Sequence, residues 1–267
     1  MVNWSLKKSY DCRDLAEIVR ILRHPGGCPW DQEQTHQSIR RNFLEEAYEA
    51  AEAIDRGDTD GLKEELGDVL LQVYFHTSIE EDAGRFTLDD VADRVCKKLI
   101  YRHPHVFGDV SVSSTGEVLS NWEELKRKEK GQATQADALD AVARTLPALW
   151  RAEKVQRKAV RAGAPWNGWD AVMDKLSEEL EEIRAARSGE GDLAEELGDL
   201  LFVTVCACAE AGVDPEQALH ANVDKDIARF RRVEELAAGQ GKAMDELSRE
   251  EFLDLWAQAK DQLKWAR

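Results

Sequence analysis

Residues 64–73 read Glu-Glu-Leu-Gly-Asp-Val-Leu-Leu-Gln-Val, and residues 195–204 read Glu-Glu-Leu-Gly-Asp-Leu-Leu-Phe-Val-Thr. In each stretch two acids three residues apart, Glu65 with Asp68 and Glu196 with Asp199, precede a nearly unbroken apolar run. A helical period puts the paired acids on one face, and the apolar residues behind them then cover most of the circumference. Ahead of each stands a second acidic segment, LEEAYEA with Glu45, Glu46 and Glu49, and SEELEEI with Glu178, Glu179 and Glu182. Two such helices side by side converge four carboxylates. That is an oxygen-rich nest suited to a hard divalent cation such as Mg²⁺.

The correspondence runs beyond the acids. GCPWD at Gly27–Asp31 returns as GAPWN at Gly163–Asn167, Lys98 and Arg102 return as Lys225 and Arg229, and Trp122 and Lys126 return as Trp256 and Lys260. The landmarks keep their order while their spacing drifts, as expected when loops change length between conserved helices. The chain reads as a tandem duplication of one helical unit. We expect an N-terminal domain over residues 1–130, a linker at 131–137 (GQATQAD, small and polar) and a C-terminal domain over 138–267.

Composition narrows the function classes. Of 267 residues, 43% are hydrophobic and 33% charged, which suits a helix-rich protein with a packed core. Lys and Arg total 36 against 53 acids, a net charge of −17. Such a surface is ill suited to a nucleic-acid polymer or an anionic membrane, although a metal in the acidic nest would let it take a small polyanion. MVNWSLKKSY has no apolar core of a secretory signal. Five cysteines without a Cys-x-x-Cys pair (Cys12, Cys28, Cys96, Cys206 and Cys208) read as free thiols in a reducing cytoplasm.

The pattern predicts helices over Asp11–Leu22, Asn42–Arg56, Asp60–Glu81, a Thr87-capped segment to Ile100, and Glu117–Glu129. Gln32–Arg41 is a short separate stretch, and HPHVFGD (103–109) a loop. The second unit repeats this with Ala138–Arg161, Trp169–Arg187, Asp192–Ala211, Pro215–Ala238 and a Ser248-capped last helix to Leu263. No segment alternates as a strand does. The expected class is all-α, with units resembling four-helix bundles.

Acid runs are more often solvated helix faces than sites, and Glu45, Glu46, Glu49 and Glu52 taken alone fit that reading. Asp68 and Asp199 argue otherwise. Each abuts an apolar run, so each is expected to be buried, and no Lys or Arg lies within a turn of Asp199. A buried carboxylate requires a partner, and a metal is the economical one. Gly67 and Gly198 sit inside the same helices at a cost of about 1 kcal/mol relative to alanine, which suggests close approach of a ligand or backbone.

CPWDQEQTH, EExxE followed by ELGD, RHPHVFGD and NWEELK together resemble the MazG-type nucleoside triphosphate pyrophosphohydrolases in their two-domain form. The resemblance spans nearly the whole chain. It implies an all-α fold completed by dimerisation, and Mg²⁺-dependent hydrolysis of ribo- and deoxyribonucleoside triphosphates to monophosphate and pyrophosphate, with Mn²⁺ a possible substitute. The implied metal ligands are Glu179, Glu182, Glu196 and Asp199, and equivalently Glu46, Glu49, Glu65 and Asp68. Lys225 and Arg229 would reach the triphosphate, with Lys98 and Arg102 matching them. Trp256 would stack a base beside Lys260, as Trp122 would beside Lys126. Glu178 or Glu195 would orient the attacking water. Lys175, four residues before Glu179 where Asn42 precedes Glu46, favours the second half as the triphosphate site.

Other signals carry less. Glu33-x-x-His36 is half of a di-iron signature without its second half, and His103 and His105 read as structural. Asp89-Asp90-x-x-Asp93 resembles the acidic motif of isoprenoid synthases but has no counterpart in the second copy. The competing functional class is a non-catalytic helical module for dimerisation or regulation. Acids intact in both copies favour the enzyme.

Overall fold

A computed structural model describes residues 4–164 and 168–263, and among these every regular element is helical. The chain divides into two compact units, Met1–Lys126 and Arg127–Arg267. The GAPWN motif falls largely on 165–167, outside the described residues.

The first unit contains α1 (Cys12–Arg23), α2 (Pro29–Glu33), α3 (His36–Arg56), α4 (Thr59–Asp82), α5 (Leu88–Arg102) and α6 (Pro104–Phe107). It ends within α7 (Thr115–Glu129). The α3–α4 hairpin is its main body. Gly57 reverses the chain in the left-handed region at φ 65°, and the Gly57 and Asp58 amides donate back to Ile54 and Ala53 at 3.1 and 2.9 Å. The Asp58 side chain then accepts from Gly61 N and starts α4. α1 lies against α4, and Val19, Ile39, Tyr74 and Phe75 form the core between α1, α3 and α4.

The second unit holds α8 (Gln135–Asp140), α9 (Ala148–Arg161), α10 (Trp169–Arg187), α11 (Leu193–Glu210), α12 (Pro215–Gly239), a 3-10 turn at Met244–Glu246 and α13 (Arg249–Gln262). Here α10 and α11 form the matching hairpin, with Val172, Val203 and Cys206 buried between them. A further core of Val233, Ala237, Leu255 and Ala259 joins α12 to α13.

Several boundaries depart from the sequence reading. Gln32–Arg41 is not a separate stretch: α3 begins at His36 because Thr35 caps it, with Thr35 and Ser38 bonding each other's backbone amides. HPHVFGD contains one helical turn, α6. Residues 131–137 are not wholly linker. Thr134 and Asp137 form a capping box that opens α8, whose Ala138 is buried. The expected helix from Ala138 is interrupted before Pro147 and resumes at Ala148.

The apolar helices are covered on fewer sides than their sequences imply. Leu66 is 54% exposed and Leu201 60%, on α4 and α11 respectively. Asp199 is itself exposed and Asp68 only half-buried, so the expectation that both are buried fails within the single chain. Asp199 lies about two turns behind its N-cap Asp192, and Asp68 about three turns behind Asp58. A Cβ on Gly67 or Gly198 would meet nothing within 4 Å, so no backbone in the chain requires glycine there.

Candidate metal and phosphate site

The two hairpins each place their acids at matching positions. In the first unit one oxygen each of Glu46, Glu49 and Glu65 lie within 4.8 Å of one another. Asp68 joins this group electrostatically. Burial first, then the charges of Asp68, Glu49 and Glu65, raise the Glu46 carboxyl above its ordinary value. Glu65 is raised likewise, by burial and then by Glu49 and Asp68. Among the described residues, no Lys or Arg side chain forms an ion pair with these four acids.

In the second unit the close trio is Glu179, Glu196 and Asp199, again within 4.8 Å. Oxygens on opposite sides of an octahedral Mg²⁺ stand about 4.2 Å apart, so both trios have the scale of one such ion. Glu179 is the buried member at 2% exposure, and its Oε2 has no hydrogen-bond partner. An orphaned carboxylate oxygen is costly unless something positive meets it. Glu182 stands just outside the trio and is raised chiefly by burial, against the lowering effect of Lys175. The donor set is all oxygen and all carboxylate, which suits a hard divalent ion.

Lys175 separates the two hairpins. Its ammonium lies 2.8 Å from Glu179 Oε1, 2.9 Å from Glu178 and 3.8 Å from Glu182. Hydrogen bonds that it donates to Glu178 and then Glu179 hold it charged well beyond the usual lysine range. The first unit has Asn42 at the corresponding place. Glu178, expected to orient water, accepts a hydrogen bond from Lys175, and Glu195, the other candidate, is exposed in the first turn of α11.

The remaining cations and aromatics sit on other helices. Lys225 donates to Asn222, and Arg229 to Asp226 at 3.3 Å, so each is tied to α12 rather than to the carboxylates. Asn222 and Asp226 each stand three residues before their cation, the one-turn spacing at which helical side chains meet. Trp256 packs on the α12–α13 core, with one face 5.8 Å from Phe252, and Lys260 is exposed one turn on. In the first unit Arg102 is 6% exposed, with its guanidinium 5.0 Å from the Trp122 ring centre. The Lys126 ammonium lies 4.7 Å from the same ring. Lys98 is half-buried on α5.

This duplicated carboxylate hairpin has relatives. Residues 34–107 match the family model described as the MazG nucleotide pyrophosphohydrolase domain. Over 253 residues the chain is 42% identical to the nucleoside triphosphate pyrophosphohydrolase of Escherichia coli K12, covering 93% of this chain and 96% of that protein. The chain belongs to the MazG family of nucleoside triphosphate pyrophosphohydrolases. A Thermotoga maritima protein of that description and named MazG is 42% identical over 247 residues, with 92% and 94% coverage. One from Mycolicibacterium smegmatis is 46% identical over 154 residues, 57% of this chain and 47% of its own. The second unit matches a different model from the first. Residues 152–226 match the phosphoribosyl-ATP pyrophosphohydrolase model instead. Both halves of this MazG-family enzyme thus match pyrophosphohydrolase domains.

Proposed function

We propose that the chain hydrolyses ribo- and deoxyribonucleoside triphosphates to the monophosphate and pyrophosphate, with Mg²⁺ or, as a substitute, Mn²⁺. The observation that carries this reading is the buried Glu179, its Oε2 unpartnered, converging with Glu196 and Asp199 beside the Lys175 ammonium. Glu179, Glu182, Glu196 and Asp199 would hold the ion, and Glu46, Glu49, Glu65 and Asp68 would do so in the first unit. Bound there, Mg²⁺ would neutralise the acids and offset the charge of phosphate oxygens.

The chain's own cations supply the rest. Lys175 sits within reach of both the acids and an incoming phosphate, while Lys225 and Arg229 present two further charges on α12. Water attacks the α-phosphorus, the bond from that phosphorus to the bridging oxygen breaks, and pyrophosphate leaves with that oxygen. Such chemistry rests on positioning and electrostatic stabilisation rather than a covalent intermediate. Trp256, partly engaged with Phe252, offers its remaining surface to a base with little discrimination.

Exposed Leu66, Leu197 and Leu201 on the carboxylate hairpins support a homodimer that completes the bundle. A cytoplasmic role in clearing or controlling nucleotide pools fits a reaction that destroys triphosphates irrespective of base. The test is a panel of nucleoside triphosphates incubated with Mg²⁺ and assayed for pyrophosphate and orthophosphate. Pyrophosphate with monophosphate supports the proposal. Orthophosphate with diphosphate assigns another reaction, and no turnover with any divalent ion favours a non-catalytic module.

A further inference from the structure

At the open end of the α3–α4 hairpin, away from the carboxylates, a chain of charged and titratable side chains has no part in the phosphate chemistry. His36 opens α3, and His76 lies in the last turns of α4, with their Nδ1 atoms 2.7 Å apart. The ring centres are 5.0 Å apart and the planes differ by 13°. Nearly coplanar rings with touching nitrogens at that separation meet edge to edge, so the contact is an in-line hydrogen bond. One proton can occupy it; two cannot.

Glu80 determines the remaining protons. His36 Nε2 lies 2.5 Å from Glu80 Oε1, and Arg85 grips the same carboxylate through Nε at 2.5 Å and Nη2 at 2.7 Å. Hydrogen bonds from Arg85 and then His36 lower the Glu80 carboxyl to about 2, so it stays ionised and His36 Nε2 must carry hydrogen toward it. The pair of imidazoles then holds a net charge of zero or one. A second positive charge would set N–H against N–H.

The surroundings offer no relief. Phe43 presents an edge to His76, with ring centres 5.8 Å apart. Arg23 at the end of α1 and His24, its C-cap, face this end of α4 but are engaged by Asp82, at 2.8 and 3.0 Å, and Arg23 also donates to Ser78. Burial and then the proximity of His36 lower the His76 imidazole. The second hairpin has no such chain. The register that pairs Glu65 with Glu196 sets Ala207 and Ala211 where His76 and Glu80 stand.

We propose that His36 and His76 form a pH-sensitive latch that ties the start of α3 to the end of α4 and opens when the pair takes a second proton. A histidine lowered in the folded state contributes stability that is fully present above its unfolded value, near ~6.5. That contribution is lost as pH falls through the value. One extra proton on the open form gives up to about tenfold per pH unit in the opening equilibrium. α3 and α4 carry Glu46, Glu49 and Glu65, so the latch governs the rigidity of the first acid cluster alone. The inference stands apart from the proposed reaction.

Hydrogen exchange on the full chain between pH 7.5 and 5, corrected for intrinsic rates, tests it. Residues 36–43 and 74–82 should lose protection by up to about tenfold per pH unit, while α10 and α11 keep theirs. His76→Phe should remove this pH dependence. Equal loss in both hairpins, no loss in the first, or persistence in His76→Phe would overturn the latch. Histidine ring titration by NMR on the parent gives an answer without a variant. The His76 titration should fall below the ordinary value, and an ordinary His76 titration would contradict the proposal.

Discussion

Lys175 Nζ lies 2.8 Å from Glu179 Oε1, joining a half-buried ammonium to the most buried acid of the second hairpin. The carboxylate's other oxygen is unpartnered. Glu179 thus relies on one cation where its geometry has room for two. Lys175→Met should therefore lower the stability of the second unit without divalent ions, by about 1–3 kcal/mol after allowing for the partial exposure of the lysine. Added Mg²⁺ should recover more in the variant than in the parent. Urea melts with and without Mg²⁺ measure this, and an unchanged melt would show that the pair contributes nothing.

Asp199→Asn removes one charge at nearly constant volume. Because Asp199 stands with Glu179 and Glu196, the metal-free variant should be at least as stable as the parent and gain less from Mg²⁺. Triphosphate hydrolysis should fall by at least about a hundredfold. Asp68→Asn, beside a cluster without its own lysine, should cost much less. The reverse ranking in a pyrophosphate-release assay would place the active site in the first unit.

Burial and mutual repulsion raise the carboxyls of Glu46, Glu65 and Glu182 above their ordinary values. Without metal, the folded form holds more protons than the unfolded form just above the ordinary carboxyl range. Those groups therefore cost stability as pH rises through that window. Mg²⁺ favours the ionised form, so its binding should release protons there and weaken as pH falls. Calorimetry at pH 5–6 in two buffers of different ionisation enthalpy should give a positive proton release; zero release would contradict the clustering.

Burial pushes the Cys206 thiol up to about 11, whereas Cys12 and Cys96 are exposed. In the native protein near pH 8, a disulfide reagent should modify Cys12 and Cys96 and spare Cys206 until the chain unfolds. Peptide mapping after brief labelling distinguishes this from uniform reaction.

The hairpins were legible because their signals are local. Glu-x-x-Asp ahead of an apolar run and Gly57 before Asp58 each report on a single turn of chain, as does Asp214 before Pro215 at the start of α12. The α8 start was equally local, yet Thr134 and Asp137 were submerged in a polar stretch that resembles a linker. Burial was harder to read. Apolar neighbours suggested an enclosed Asp199, but the buried acid is Glu179, whose surroundings come from a facing helix. The His36–His76 contact joins residues forty apart and left no periodic trace.

The central claim is that water attacks the α-phosphorus of a nucleoside triphosphate and expels pyrophosphate. Turnover in ¹⁸O-labelled water with Mg²⁺, followed by mass spectrometry of both products, tests it directly. The account predicts one labelled oxygen in the nucleoside monophosphate and none in the pyrophosphate. Label in the pyrophosphate, or in released orthophosphate, would contradict it.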